Sequence, residues 1–267
     1  MATVKKIISA QNSLIKKVLL LKDKSRERRK TGLFVLEGKR ELELAQKGDY
    51  ILDTLLYCPE LLSDFPIQDY LNQGHIQLAE VPKTVYEKLA YRGSTEGVMA
   101  LVKAKEHHLD QIAFNNPNPL ILIAEAPEKP GNIGALLRTA DAAALDAVLI
   151  ANPRTDLYNP NIIRSSVGCV FTNQIGMGTT TEIIEFLQKH NIKMYCAALT
   201  ASKTYTSCDY KEATAIVVGT ESTGLTPTWL EQSHQNIIIP MKGEIDSMNV
   251  SVSAAILIFE AKRQRGN

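Results

Sequence analysis

Hydrophobic and polar positions fall into blocks along this 267-residue chain, and the period inside the blocks changes from one to the next. Over Ser13–Lys22, Leu14, Val18 and Leu21 recur at helical spacing, with Lys16, Lys17 and Lys22 elsewhere on the cylinder. Leu33–Leu36 is a short apolar run of strand type. Lys39–Gln46 returns to helical spacing and ends before Gly48, a residue suited to a helix C-cap. Ile51–Tyr57 and Gly97–Val102 read as strands, and Pro66–Asn72 and Pro82–Ala90 as helices with proline in the first turn. These blocks predict a small α/β unit over residues 1–104. Residues 105–118, ending in an Asn/Pro-rich stretch, break the pattern and predict a linker.

The alternation resumes over residues 119–267. Strands are predicted at Leu120–Ala124, Ala147–Ala151, Val170–Phe171, Ile192–Leu199, Ala215–Gly219 and Ile237–Ile239. Helices are predicted at Asn132–Leu145, from Asn159-Pro160 through Ser166, at Thr181–His190 and at Val250–Arg265. Apolar runs separated by helices predict a parallel sheet covered on both faces. Ligand sites of such sheets gather beyond the carboxyl ends of the strands. In this chain those ends are residues 125–134, 199–202, 219–224 and 240–249.

Net charge is only +1, but it is segregated. Residues 1–50 hold thirteen Lys/Arg against six Asp/Glu, a net of +7, and the remainder carries −6. Lys16, Lys17, Lys24, Arg26, Arg28, Arg29 and Lys30 are the candidate phosphate contacts of a nucleic-acid partner, although such a run is also how a solvated face reads. The four cysteines lie far apart and no metal spacing surrounds His107-His108, so no metal site is expected. Lys5 and Lys6 lead into a polar segment, and no apolar stretch reaches membrane-spanning length. A cytoplasmic protein with reduced thiols and no membrane partner is expected.

Single features carry little chemistry. Ile133, Leu136, Leu137, Ala140 and Ala144 form a core stripe on the Asn132–Leu145 helix, from which Arg138 projects between Ala135 and Ala142. That is the pattern of a solvated arginine as well as of an accessible one. Asn132 reads equally as a helix cap. The Gly219–Gly224 turn matches neither a dinucleotide fingerprint nor a phosphate loop, and Arg164-Ser-Ser-Val-Gly168 is weaker still.

The combination is specific. Pro130-Gly131-Asn132-Ile133-Gly134 with Arg138-Thr139-Ala140, then Gly219-Thr220-Glu221 with Gly224-Leu225, then Ile239-Pro240-Met241 with Gly243, Ser247, Asn249 and Ser251 resemble, in order, the three motifs of the SpoU (TrmH-type) RNA ribose 2′-O-methyltransferases. The likeness covers about 150 C-terminal residues. The stretches Ser13–Lys16 and Gly32–Gly38 also resemble that family's RNA substrate-binding domain. The resemblance implies an α/β methyltransferase domain of the SPOUT class, whose C-terminal segment forms a trefoil knot, preceded by a smaller α/β domain of ribosomal protein L30e type. It implies S-adenosylmethionine as cofactor, held by Leu199, Gly219, Gly224, Ile239, Met248 and Asn249. It implies Asn132, Arg138, Glu221, Ser247 and Asn249 as catalytic residues, a homodimer packed through the knots, and RNA as substrate, with ribosomal RNA favoured by the appended domain. A tRNA ribose methyltransferase and a non-catalytic RNA-binding assembly factor of the same fold are the alternatives. A small-molecule α/β enzyme fits the basic arm poorly.

Overall fold

The computed structural model describes residues 4–62, 65–72, 75–91, 96–199, 202–220, 222–244 and 247–266. They form two compact units. The first comprises residues up to Lys105 together with Asp156–Thr172, and the second Glu106–Thr155 with Asn173 onwards.

In the first unit, β1 (Val4–Lys6), α1 (Ser13–Asp23), α2 (Ser25–Thr31), β2 (Leu33–Glu37), α3 (Lys39–Lys47), β3 (Leu52–Tyr57), α4 (Ile67–Asn72), β4 (Gln77–Glu80), α5 (Lys83–Leu89) and β5 (Val98–Lys103) follow one another. The sheet runs β1-β4-β3-β5-β2, with β5 antiparallel to both of its neighbours. Ile15, Val18 and Leu21 of α1 are buried with Leu33, Val35, Leu56 and Met99 of the sheet, so the periodic stripe lies on the strands. The short strands β1 and β4 escape sequence reading because they offer only three and four residues, two of them polar in each. The basic run does not form an open loop: most of it winds into α2, which stops at Gly32 in the left-handed region.

Residues 156–172 lie in the methyltransferase half of the sequence partition, yet they pack within the first unit. The Tyr158 ring stacks on Phe34 with centroids 4.2 Å apart, and its hydroxyl lies 3.1 Å from that of Tyr50. Phe171 joins the same cluster. Gly48 is required beside it, since a Cβ at that position would come within 2.0 Å of the Phe171 carbonyl oxygen. Val170–Phe171, expected as a strand, is instead part of a turn. Both side chains are buried, that of Phe171 in this aromatic cluster, and burial rather than strand pairing explains the apolar pair.

The second unit holds β6 (Leu120–Glu125), α6 (Pro130–Ala142) and β7 (Ala147–Ala151). After α7 (Pro160–Ser165), which belongs to the first unit, it continues with β8 (Ile175–Gly178), α8 (Thr180–Lys189), β9 (Lys193–Ala197), β10 (Lys203–Thr204), β11 (Thr214–Val218), α9 (Pro227–Gln232), β12 (Gln235–Ile238) and α10 (Val250–Gln264). The sheet order is β10-β12-β9-β11-β6-β7-β8, and every pairing is parallel. All six residues of β6 and all five of β11 are buried, as the continuous apolar runs require of strands covered on both faces. Pro130 opens α6 at a position where a missing N–H costs nothing. A reciprocal Thr179–Glu182 capping box opens α8. α6 ends earlier than its apolar pattern, so Ala144 leaves the expected stripe as an exposed residue at φ 45° and Ala143 takes the buried place.

Candidate functional site

The carboxyl ends of β6, β9, β11 and β12 face two adjoining clefts in the second unit. The larger, ≈ 410 Å³, is lined by Leu199 after β9, by Gly219 and Gly224 after β11, by Ile239 and Met241 after β12, and by Ser247 and Met248 ahead of α10. The smaller, ≈ 300 Å³, is lined by Glu128, Lys129 and Asn132 from the start of α6, and shares Gly219, Thr220, Ser222 and Val250 with the first. The larger volume lies within the range of pockets that enclose a drug-sized molecule.

The turn after β11 is closed on itself. Thr220 N–H donates to the Gly224 carbonyl and Gly224 N–H donates back to Thr220, each at 3.1 Å. This closure brings Gly224 so near Gly219 that a Cβ on Gly219 would sit 2.2 Å from the Gly224 carbonyl carbon and 2.4 Å from the Leu225 nitrogen. Backbone cannot yield there as a flexible side chain can. Gly219→Ala is expected to open the turn and to shift the thermal midpoint by only a few degrees, read by differential scanning calorimetry.

Asn249 caps α10. Its side-chain oxygen accepts from Ser251 N–H at 2.9 Å and from the Ser251 hydroxyl at 2.6 Å. These two bonds fix the amide, so Nδ2 faces outward and donates to Asn132 Oδ1 at 3.2 Å. Asn132 is not the cap of its helix: α6 begins two residues earlier, leaving the Asn132 side chain in the first turn beside the cleft. Residues 117 positions apart in sequence thus meet at the mouth of the smaller cleft.

Arg138 does not join them. It is exposed on α6 and lines neither cleft, and six residues of α-helix place it roughly 120° around the axis from Asn132. Glu221 lies outside the described residues. Among the expected RNA contacts, Lys16, Lys24, Arg26, Arg29 and Lys30 are exposed and Lys17 is half-buried. Arg28 is a correction. It is 5% exposed; its Nε donates to Asp156 Oδ2 at 2.5 Å, and Nη1 donates to the Leu21 and Lys22 carbonyls at 2.6 and 3.0 Å. It closes the C-terminal end of α1 and cannot meet a phosphate. Charge-run reading fails at this position because α2 turns this one member of the run inward.

One buried group gave no signal in the sequence. Glu125, at the end of β6 and 2% exposed, accepts from the Thr226 N–H and hydroxyl, both at 2.8 Å, and from the Thr180 hydroxyl at 3.4 Å. A buried carboxylate needs such donors to offset the hydration it has lost. It ties the exit of the Gly219–Gly224 turn to the sheet, and only the pairing with Thr226, 101 residues away, reveals it. Cys196, by contrast, is inert: burial, with the Glu125 charge adding to it, pushes its thiol up to about 12.

The sequence matches known proteins on both sides of residues 105–118. Residues 119–259, more than half of the chain, match the model of the SpoU rRNA methylase family, and residues 12–100 match that of the MRM3-like substrate binding domain. The 23S rRNA (guanosine(2553)-2′-O)-methyltransferase RlmP of Bacillus subtilis (strain 168) is 29% identical over 259 residues, covering 97% of this chain and 100% of its own. Among solved structures, an RNA 2′-O ribose methyltransferase is 37% identical, with a TM-score of 0.82 over 98% of this chain and 100% of its own. An AdoMet-bound rRNA methyltransferase from Sinorhizobium meliloti, 23% identical, shares the fold with a TM-score of 0.88 over 97% of this chain and 98% of its own. With its parallel sheet, its closed glycine turn and its joined asparagines, this chain belongs to the SpoU rRNA methylase family.

Proposed function

We propose that this chain transfers the methyl group of S-adenosylmethionine to a ribose 2′-hydroxyl of ribosomal RNA, working in the cytoplasm as a homodimer whose N-terminal unit selects the RNA. The observation that carries this reading is the Asn249–Asn132 hydrogen bond, which joins the first and third motifs beside the turn of the second.

The cleft chemistry fits the cofactor. Leu199, Ile239 and Met248 offer apolar wall, and the Cβ-free edge at Gly219 lets a ligand approach the backbone. Gly224 and Asn249 complete the cofactor set. When bound, S-adenosylmethionine supplies an electrophilic methyl group on a sulfonium. A guanidinium offers donors and no acceptor, so arginine is the wrong side chain to take the hydroxyl proton. The task of Arg138 is to clamp the neighbouring phosphate and to offset negative charge developing on the 2′-oxygen. Asn132, Glu221, Ser247 and Asn249 orient the ribose, and orientation accounts for a large part of such a rate.

The homodimer has support in α10. Val252 and Phe259 are 49% and 50% exposed, seven residues apart on one face, with Ile256 between them. A second copy of the chain would cover this stripe. Dimerisation also supplies the surface against which Arg138, outside both clefts of the single chain, meets the ribose. A trefoil knot in the C-terminal segment and an L30e-like first unit complete the proposed architecture. Among the described residues, no helix is long and apolar enough to cross a membrane.

Domain roles are proposed as RNA binding by residues 1–104, a linker over 105–118 and methyl transfer by 119–267. Six exposed or half-buried cations, Lys16, Lys17, Lys24, Arg26, Arg29 and Lys30, would each release counterions on meeting phosphate. Replacing Arg29 and Lys30 by alanine should lower the slope of log affinity against log salt by roughly 0.7–0.9 per lost contact, read by filter binding. Incubation of the purified chain with radiolabelled S-adenosylmethionine and unmodified ribosomal or transfer RNA tests the whole assignment. Label is expected at one ribose in ribosomal RNA. Label in tRNA alone overturns the substrate, and none in either RNA overturns the activity.

A further inference from the structure

We propose that the first unit carries a pocket for one guanine base of single-stranded RNA, built where Tyr91 and Arg164 meet Lys22, Glu37 and Glu41. The proposal rests on the RNA-modifying role above and deepens it by naming a base that the substrate presents.

The pocket is a surface cavity of ≈ 60 Å³. At about 15 Å³ per water-sized probe, that is room for the edge of one planar base rather than for a whole nucleoside. Its walls come from distant parts of the chain: the end of α1, the end of β2, the first turn of α3, the residues after α5, and α7.

Tyr91 is fixed at both ends. Its backbone N–H donates to Glu37 Oε2 at 2.9 Å, and its hydroxyl donates to Asn161 Oδ1 at 2.7 Å. One helical turn beyond Asn161, the Arg164 guanidinium lies over the Tyr91 ring, 4.9 Å from its centroid. Arg164 is itself exposed, so the ring and the guanidinium form a two-layer platform with an open outer face. Unpaired RNA bases stack on such aromatic and guanidinium planes.

The polar groups select the base. The Lys22 ammonium donates to the Leu89 carbonyl and lies 5.9 Å from the Tyr91 centroid, with two further N–H donors to offer. Burial lowers its pKa, against the opposing effect of Glu37 and Asp23, so a further acceptor would favour its charged form. Glu41 is the complementary group. Burial and the Glu96 charge raise its pKa, and N–H donors would favour its ionised form. A donor and an acceptor-only carboxylate lining one pocket match the Watson–Crick edge of guanine, whose O6 accepts while N1–H and N2–H₂ donate side by side. Adenine and cytosine set an acceptor next to their amino group, and a carboxylate repels it.

The test is fluorescence anisotropy of the full-length protein with fluorescein-labelled UUGUU, UUAUU and UUIUU, where I is inosine, a guanine without its 2-amino group. The guanine oligomer is expected to bind about tenfold tighter than the other two, the discrimination of one good bidentate contact. Glu41→Gln should abolish the guanine-to-inosine ratio. Tyr91→Phe, which keeps the ring, should retain that ratio, and Tyr91→Ala should weaken all three oligomers. Melting curves establish that the variants are folded. Equal affinity of wild type for the three oligomers, at any strength, overturns the pocket. If ribosomal RNA is still methylated in that case, the enzymatic reading survives. Absence of both methylation and RNA binding sinks the two together.

Discussion

Replacing Arg138 by alanine should lower methyl transfer by about a hundredfold or more while S-adenosylmethionine affinity stays within a factor of about two. The two halves of this expectation have separate grounds. Arg138 is exposed and lines neither cleft, so both clefts keep their walls when the side chain is removed. The 2′-oxygen, in contrast, turns negative only as its proton passes to solvent during the attack, and that charge is spent as the oxygen–carbon bond forms and the carbon–sulfur bond breaks. A guanidinium that meets that charge acts on the transition state far more than on the ground state. Arg138→Lys keeps the positive charge but loses the planar fork, and should recover only a minor part of the rate. The measurement is single-turnover methylation of ribosomal RNA beside calorimetric titration of the cofactor. If cofactor affinity falls as far as the rate does, Arg138 serves the pocket or the fold and not the charge on the 2′-oxygen.

Asp156→Ala should destabilise the protein by about 3–5 kcal/mol, a cost typical of stripping the partner from a buried charge. Arg28 is 5% exposed and the Asp156 side chain 13%, so little water reaches either when the other is lost. The Leu21 and Lys22 carbonyls would still accept from Nη1, but no negative charge would remain beside the guanidinium. Asp156 also accepts from Tyr158 N–H at 3.0 Å through Oδ1, so the start of the 156–172 segment loosens as well. The double replacement Arg28→Met with Asp156→Leu removes both charges and should return most of the lost stability. Urea unfolding of the two variants decides the matter. Equal stability of Asp156→Ala and wild type would mean that the ion pair contributes nothing beyond its packing.

Much of the second unit was legible from periodicity. Runs such as Leu120–Glu125 and Thr214–Val218 are apolar almost throughout because parallel strands are covered on both sides, and such runs announce themselves. The ends of the elements were less legible, because a cap depends on one side chain and its geometry. Asn132 looked like a cap and is not one, whereas Asn249 is. The meeting of those two asparagines could be inferred only from three motifs read together, since no local pattern encodes a contact across 117 residues. Glu125 and Arg28 show the limit from the other side. Each is a charged residue whose role is decided by what packs over it, and neither its type nor its neighbours in sequence carry that information.

The placement of residues 156–172 bears on how this architecture could be taken apart. A methyltransferase half excised at residues 105–118 would carry Tyr158, Ile162, Ile163 and Phe171 as an oily tongue stripped of the sheet that houses it. Swapping front ends between relatives meets the same obstacle, because a foreign front end must accept the resident tongue or arrive with its own. A new junction in this chain therefore has two seams to match, not one.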